Sequence, residues 1–201
     1  MIAIIDYGMG NLRSVQKAFE YLGYDAQITD STTVMDSASH IVLPGVGAFG
    51  DAMASLNSLG FPDTLKAQVK KGKPFLGICL GMQLLFDKSY EHGEFEGLGI
   101  VPGEVVKFEL PKEYKVPHMG WNKLDVKRGA IFDAQKQDQF VYFVHSFYCV
   151  PQKKESIAAT ASYCIDFCAA AAQDNVFATQ FHPEKSGDIG LDMLRKFGEL
   201  K

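Results

Sequence analysis

The chain has little charge of either sign to spare, no paired cysteines and no long apolar run, and each shortage excludes a class of function. Its 20 Lys and Arg stand against 24 Asp and Glu, for a net charge of −4. A nucleic-acid binder or a polybasic membrane anchor usually carries a basic surplus, so neither is expected. The four cysteines, Cys79, Cys149, Cys164 and Cys168, make no C-x-x-C pair. Cys164 and Cys168 lack a second Cys/His pair nearby, which argues against structural zinc, and no metal or cofactor is expected. A disulfide framework does not suit so apolar a chain. Nothing approaches the roughly 18 apolar residues that span a bilayer. The start, Met1-Ile-Ala-Ile-Ile-Asp6, reads as a strand with no charged leader or cleavage site. A soluble, reduced, cytoplasmic protein is the expectation.

What the chain does have is core-forming material. Of 201 residues 47% are hydrophobic, with 15 Phe and 8 Tyr, enough to fill one sizeable domain over residues 1–201. The first half alternates in type. Strands are predicted at Ile2–Asp6, Ala26–Thr29, His40–Leu43 and Phe75–Cys79. Between them fall helical stretches: one capped by Asn11 and ended by Gly23, then Ala48–Leu59, Pro62–Lys71 and Leu80–Asp87. Strands alternating with helices predict an α/β fold, a mostly parallel central sheet flanked by helices. The second half reads differently, with strands at Ile100–Glu109, Asn122–Val126, Phe140–Val150, Ser156–Ser162 and Phe177–Phe181 and one helix at Gly187–Leu200. These suggest antiparallel or mixed additions to the same sheet.

The sharpest motif is Gly77-Ile78-Cys79-Leu80-Gly81, which follows a strand and opens a helix. It has the form of a nucleophile elbow with cysteine at its centre. The flanking glycines allow a tight, strained turn, and a helix start behind the sulfur favours thiolate and offers N–H groups to an oxyanion. A buried, inert cysteine is the plain alternative. A thiol nucleophile needs a base, and Gln180-Phe181-His182-Pro183-Glu184 provides a histidine with a carboxylate two residues on. On an extended chain those two share a face, so Glu184 could hold the second imidazole nitrogen. Taken alone, His182 could equally be a surface histidine beside a solvated acid. Joined to the elbow, it completes a Cys–His–Glu triad.

Gly45-Val46-Gly47-Ala48-Phe49-Gly50 matches G-x-G-x-x-G but fails the second dinucleotide test. No acid ends the next strand, which finishes in Cys79. Such a loop beside the elbow could instead turn N–H groups toward an oxyanion. His145-Ser146-Phe147-Tyr148 follows a buried-looking strand and could line a pocket or simply finish a sheet. Val116-Pro117-His118-Met119-Gly120-Trp121-Asn122 reads as a loop with the only tryptophan, either a partner-facing patch or folded in.

Together these residues resemble the triad class of glutamine amidotransferases. The likeness rests on Pro44-Gly45-Val46-Gly47, on Gly77-Ile-Cys79-Leu-Gly81-Met-Gln83 and on His182-Pro183-Glu184, in the family's order and along the whole chain. Asp6-Tyr-Gly-Met-Gly-Asn11-Leu-Arg13-Ser14-Val15, Pro44 to Met53 and Pro117 to Asn122 narrow it to the glutaminase subunits of imidazole glycerol phosphate synthases, from histidine biosynthesis. The resemblance implies catalysis by Cys79, His182 and Glu184 and an oxyanion hole from Leu80 and Gly45, Val46 and Gly47. It further implies contacts to substrate L-glutamine from Gln83, His145, Ser146 and Phe147. The family's partner is a (β/α)8-barrel cyclase subunit, here expected to meet Asn11, Arg13, Pro117, His118, Met119, Trp121 and Asn122. A stand-alone cysteine hydrolase places its acid between nucleophile and histidine, whereas Glu184 follows His182. A binding module that had lost the chemistry would commonly lack one of the three residues, and all are present.

Overall fold

The computed structural model describes residues 1–201. In chain order its elements are β1 (Ile2–Ile5), α1 (Leu12–Tyr21), β2 (Ala26–Thr29), α2 (Thr32–Ser37), β3 (His40–Gly45), α3 (Phe49–Ser58), α4 (Phe61–Lys70), β4 (Phe75–Cys79) and α5 (Leu80–Leu84). There follow β5 (Phe86–Ser89), β6 (Phe95–Glu96), β7 (Val101–Lys107), β8 (His118–Lys123), β9 (Asp125–Val126), β10 (Phe140–His145) and β11 (Phe147–Pro151). The chain ends with β12 (Ile157–Tyr163), β13 (Ile165–Gln173), β14 (Val176–Thr179) and α6 (Gly187–Gly198).

The main sheet has the order β2-β1-β3-β4-β14-β13-β11-β7-β5-β6, with β12 and β9 branching from β13. From β2 through β14 the strands are parallel; β13, β11 and β7 continue it antiparallel, and β5 returns parallel to β7. This is the α/β architecture with antiparallel additions that the sequence predicts. Alternation along β1 sends Ala3 and Ile5 to one face and Ile2 and Ile4 to the other. On the first face α3 and α4 bury Phe49, Leu56, Phe61 and Leu65; on the second α1 and α6 bury Val15, Phe19, Leu194 and Phe197. Each such side chain taken fully out of water contributes about 1.5–3 kcal/mol.

Several elements depart from the sequence reading. β3 continues through Pro44 and Gly45 rather than closing before them. Ile41 donates toward the β4 side, to Pro74, so Pro44 faces the β1 side, where pairing ends at Val42. Its missing N–H therefore costs no ladder bond. The helix predicted to Asp87 stops at Leu84. Leu98 donates to the Leu84 carbonyl at 2.8 Å, and Ile100 and Val101 to that of Leu85 at 2.8 and 2.9 Å, so the chain turns into β5. The strand predicted over Phe140–Val150 changes partners at Ser146: β10 pairs with β8 in a separate ribbon, β11 with β7 and β13. The predicted Pro117–Asn122 loop is mostly strand β8. Asn11 precedes α1 without a side-chain cap bond. The sequence marks neither strand β13 nor the short helix α2; the alanines of β13, Ala169 to Ala172, carry a helical propensity that pairing with β12 and β14 overrides.

The elbow depends on bare backbone. A Cβ on Gly81 would lie 1.8 Å from the Leu43 carbonyl oxygen, and one on Gly77 would lie 2.8 Å from the Gly81 oxygen. Gly81→Ala should cost about 3 kcal/mol or more, lowering Tm by about 6–12 °C. Thermal unfolding within 2 °C of wild type would show that the α5–β3 contact is not rigid.

Candidate active site

β4 delivers Cys79 to the C-terminal edge of the parallel sheet, with φ 57° and ψ −111°. A non-glycine residue there stores about 1–3 kcal/mol of strain, held by the packing of Gly77 and Gly81 against α5 and β3. Cys79 is buried, at 7% exposure. Helix α5 has only five residues, so it offers the free N–H groups of its first turn rather than a long dipole. Beside it Gly45 packs against Leu80, and a Cβ there would lie 2.3 Å from the Tyr7 hydroxyl. Gly47 holds φ 100°, while Val46 between them is exposed.

His182 arrives after β14 and is held at its backbone from both sides. Its N–H donates to the Tyr142 carbonyl at 3.0 Å, and the Ser186 hydroxyl donates to its carbonyl at 2.6 Å. The imidazole Nδ1 lies 2.8 Å from Glu184 Oε1, both side chains being at most 3% exposed. The contact is made differently from the extended-chain expectation: Pro183–Lys185 forms a 3-10 turn that folds the carboxylate back onto the ring. Cys79 and His182 line the same pocket, close enough for the sulfur to act on the charge of the ring. Burial by itself disfavours imidazolium, but the neighbouring sulfur of Cys79 and the carboxylate of Glu184 outweigh it and raise the His182 pKa to about 9. A base raised in this way beside a thiol can hold a thiolate–imidazolium pair.

The sulfur opens into a cavity of about 300 Å3. Val46, Gly47, Leu80 and Gln83 line one side, His145, Ser146 and Phe147 the other, and Pro117 stands at the rim. Gln83 is oriented by donating to the Phe147 carbonyl at 3.2 Å and to Gln180 Oε1 at 3.1 Å. Two residues here carry no assignment in the sequence reading. Gln180, fully buried, directs its amide nitrogen to Cys79 Sγ at 4.0 Å; its place two residues before His182 was the signal for it. Glu91 brings a carboxylate to the cavity wall and accepts from Phe49 N–H at 2.7 Å, and nothing in its local sequence marks it.

The residues expected at a partner surface divide by strand alternation. Met119 is 62% and Trp121 59% exposed on the outer face of β8, near exposed Pro117. His118 is buried at 3%, so it turns inward and is not a surface residue. Asn122 is half-buried, donating to the Ser162 carbonyl at 2.8 Å. Arg13 is exposed and donates to Gln16 at 2.9 Å, and Asn11 is half-buried. No group of three or more His, Cys, Asp or Glu side chains is placed to hold a metal ion. No helix is long and apolar enough to cross a membrane.

Residues 3–199 match the family described as Glutamine amidotransferase class-I. The chain belongs to that family. Among its relatives, the chain is 54% identical to the Imidazole glycerol phosphate synthase subunit HisH of Syntrophotalea carbinolica, with both chains covered completely. The protein of the same name from Geobacter sulfurreducens is 52% identical, over 100% of this chain and 99% of the relative. That from Methanothermobacter thermautotrophicus is 48% identical, over 100% and 98%. Among solved structures, one titled Crystal structure of glutamine amidotransferase superposes with a TM-score of 0.77 at 18% identity, covering 98% of this chain and all of that one. The structure of PurLQS from Thermotoga maritima gives 0.76 at 19% identity, over 98% and 96%. At these identities the structures speak for the fold alone.

For this amidotransferase, the elevated His182 pKa has a testable sign. A raised pKa adds stability fully present below the unfolded value near 6.5 and lost as pH rises through about 9. Glu184→Gln should bring the imidazole titration, followed by NMR, down toward 6.5 and flatten stability between those pH values. A titration still centred near 9 would mean that Glu184 does not hold the charge.

Proposed function

We propose that this amidotransferase is the glutaminase subunit of imidazole glycerol phosphate synthase, working over residues 1–201 as one domain with Cys79, His182 and Glu184 as its catalytic triad. The observation that carries the chemistry is Cys79 at a left-handed elbow against His182, whose Nδ1 is held by buried Glu184. The assignment to imidazole glycerol phosphate synthase is supported by full-length relatives at about half identity that bear that name.

The thiolate attacks the side-chain amide carbon of L-glutamine, and the carbonyl oxygen takes the negative charge. Leu80 N–H and the Gly45, Val46, Gly47 loop face that oxygen; one such donor is worth about 3 kcal/mol in a transition state. His182 gives its proton to the amine, ammonia departs and a thioester remains. His182 then takes a proton from water, which releases glutamate and the thiolate. The Glu91 carboxylate suits the α-ammonium of the substrate. Gln83 and the backbone of His145, Ser146 and Phe147 line the rest of the pocket.

Ammonia released to water near neutral pH becomes ammonium, which has no lone pair to attack with. Its consumer must therefore dock over the pocket and exclude water. The cavity rim holds Val46 and Pro117, and the exposed Met119 and Trp121 extend an apolar surface from it, suited to a protein partner. The partner is a cyclase subunit with a (β/α)8 barrel that takes the ammonia and forms imidazole glycerol phosphate and an aminoimidazole carboxamide ribotide. Arg13 and Asn11 flank the contact, and activity stays low until the cyclase carries its own ligand. A cytoplasmic setting suits these reduced thiols, and neither nucleic acid nor membrane takes part.

The test is glutamate release from glutamine by the chain alone, then with the barrel cyclase and its phosphoribosyl ligand. Strong stimulation is expected, and Cys79→Ala should lower kcat by about 10,000-fold or more. Activity indifferent to the cyclase would point to another synthase, and no activity in folded protein would sink the triad. Glu91→Gln should raise KM for glutamine about tenfold with a smaller effect on kcat. An unchanged KM would remove Glu91 from the substrate site.

A further inference from the structure

Two buried histidines lie outside the triad and form one hydrogen-bonded line with it. His145 Nδ1 is 2.9 Å from the Phe147 carbonyl oxygen. A carbonyl only accepts, so Nδ1 carries the proton and Nε2 of the neutral ring is an acceptor. His118 Nδ1, 3.0 Å from that Nε2, must then be the donor, which leaves its own Nε2 to accept from Asn122 Nδ2 at 3.4 Å. The second Asn122 N–H goes to the Ser162 carbonyl, and its oxygen accepts from Lys123 N–H at 2.8 Å. The amide cannot flip without losing both. Burial keeps both rings neutral, with pKa values lowered to about 4 for His118 and about 3 for His145.

On the far side the Phe147 carbonyl also accepts from Gln83, which donates to Gln180, which points at Cys79 Sγ. The line therefore begins on β8, whose outer face carries Met119 and Trp121, and ends at the nucleophile. It cannot relay protons, because two donors converge on a carbonyl that has none to pass. Its capacity is positional. The His118 ring is also stacked on Tyr163, at 4.2 Å between centroids. The stack fixes its plane but not its tautomer.

We propose that His118 and His145, each locked with its proton on Nδ1, are positioning residues that tie the strand bearing Met119 and Trp121 to the Phe147 wall of the glutamine pocket, so that seating a partner on that strand sets Gln83 and Gln180 against Cys79. The proposal rests on reading Cys79 as the nucleophile and Met119 and Trp121 as the cyclase-docking surface. It assigns His118, expected at the partner surface, to the inner face instead.

Two experiments test it, neither needing turnover. In the isolated chain, imidazole 15N shifts should show both rings neutral with Nδ1 protonated and Nε2 bare. An Nε2–H tautomer or an averaged pair would overturn the line. Glutamine binding is then measured on Cys79→Ala, with and without the cyclase. Docking should tighten binding, and adding His118→Phe, which keeps the stack on Tyr163, should weaken it about tenfold and erase most of the tightening. His118→Asn, whose amide nitrogen sits where Nδ1 was, should recover part of both; a merely structural role would give the two substitutions equal effects. If Cys79→Ala binds no glutamine at all, the glutaminase reading fails, while the shifts still decide the tautomers. Tight binding that ignores His118→Phe would overturn the positioning role and leave the glutaminase reading intact.

Discussion

The structure turns on one close approach, the start of α5 against the end of β3. The Gly81 backbone is so near the Leu43 carbonyl that no side chain fits between them. That contact bends the chain at Cys79 into a left-handed conformation and lifts the sulfur off the sheet. It also sets Gly45 against Leu80, bringing the loop that follows β3 alongside the nucleophile. Gly45 on β3, Gly77 on β4 and Gly81 on α5 thus place the reacting atom and its surroundings in one step. The long parallel sheet serves to hold them.

Three histidines around the pocket then diverge by environment rather than by type. His182, between a thiol and a buried carboxylate, is pushed up to about 9. His118 and His145, walled by Phe143, Phe167 and Tyr163 and facing no acid, fall to about 4 and about 3. One ring is prepared to carry a charge and two are prevented from doing so. Separation of this kind lets acid–base work and structural support sit side by side without exchanging roles.

The parts legible in the sequence were those whose physics is local. A strand entering G-x-C-x-G, a histidine with an acid two residues on and the alternation of the first half all follow from short-range rules, and the fold and family agree with them. What escaped depends on distant partners. Leu84 ends a helix because Leu98, Ile100 and Val101, beyond β5 and β6, claim the carbonyls there. The alanines of β13 become strand because β12 and β14, both outside the run itself, pair with them. Glu91 joins the pocket by capping α3, a contact of 42 residues' separation that no motif announces. The Glu184 contact is made through a 3-10 turn rather than along the extended chain that the sequence predicts.

Parallel strands have a common polarity, and here that divides the molecule into two rims of different character. The C-terminal ends of β3, β4 and β14 converge on the cavity, while their N-terminal ends face away from it. The distal rim is clasped by side chains: Asn175 donates to the carbonyls of Val69 and Lys73, and the Lys73 ammonium to those of Met35 and Asp36. The segments at 71–74 and 174–175 lie at the rim away from the pocket, so a label or tether carried on an exposed residue there, such as Lys71 or Gly72, stays remote from the sulfur.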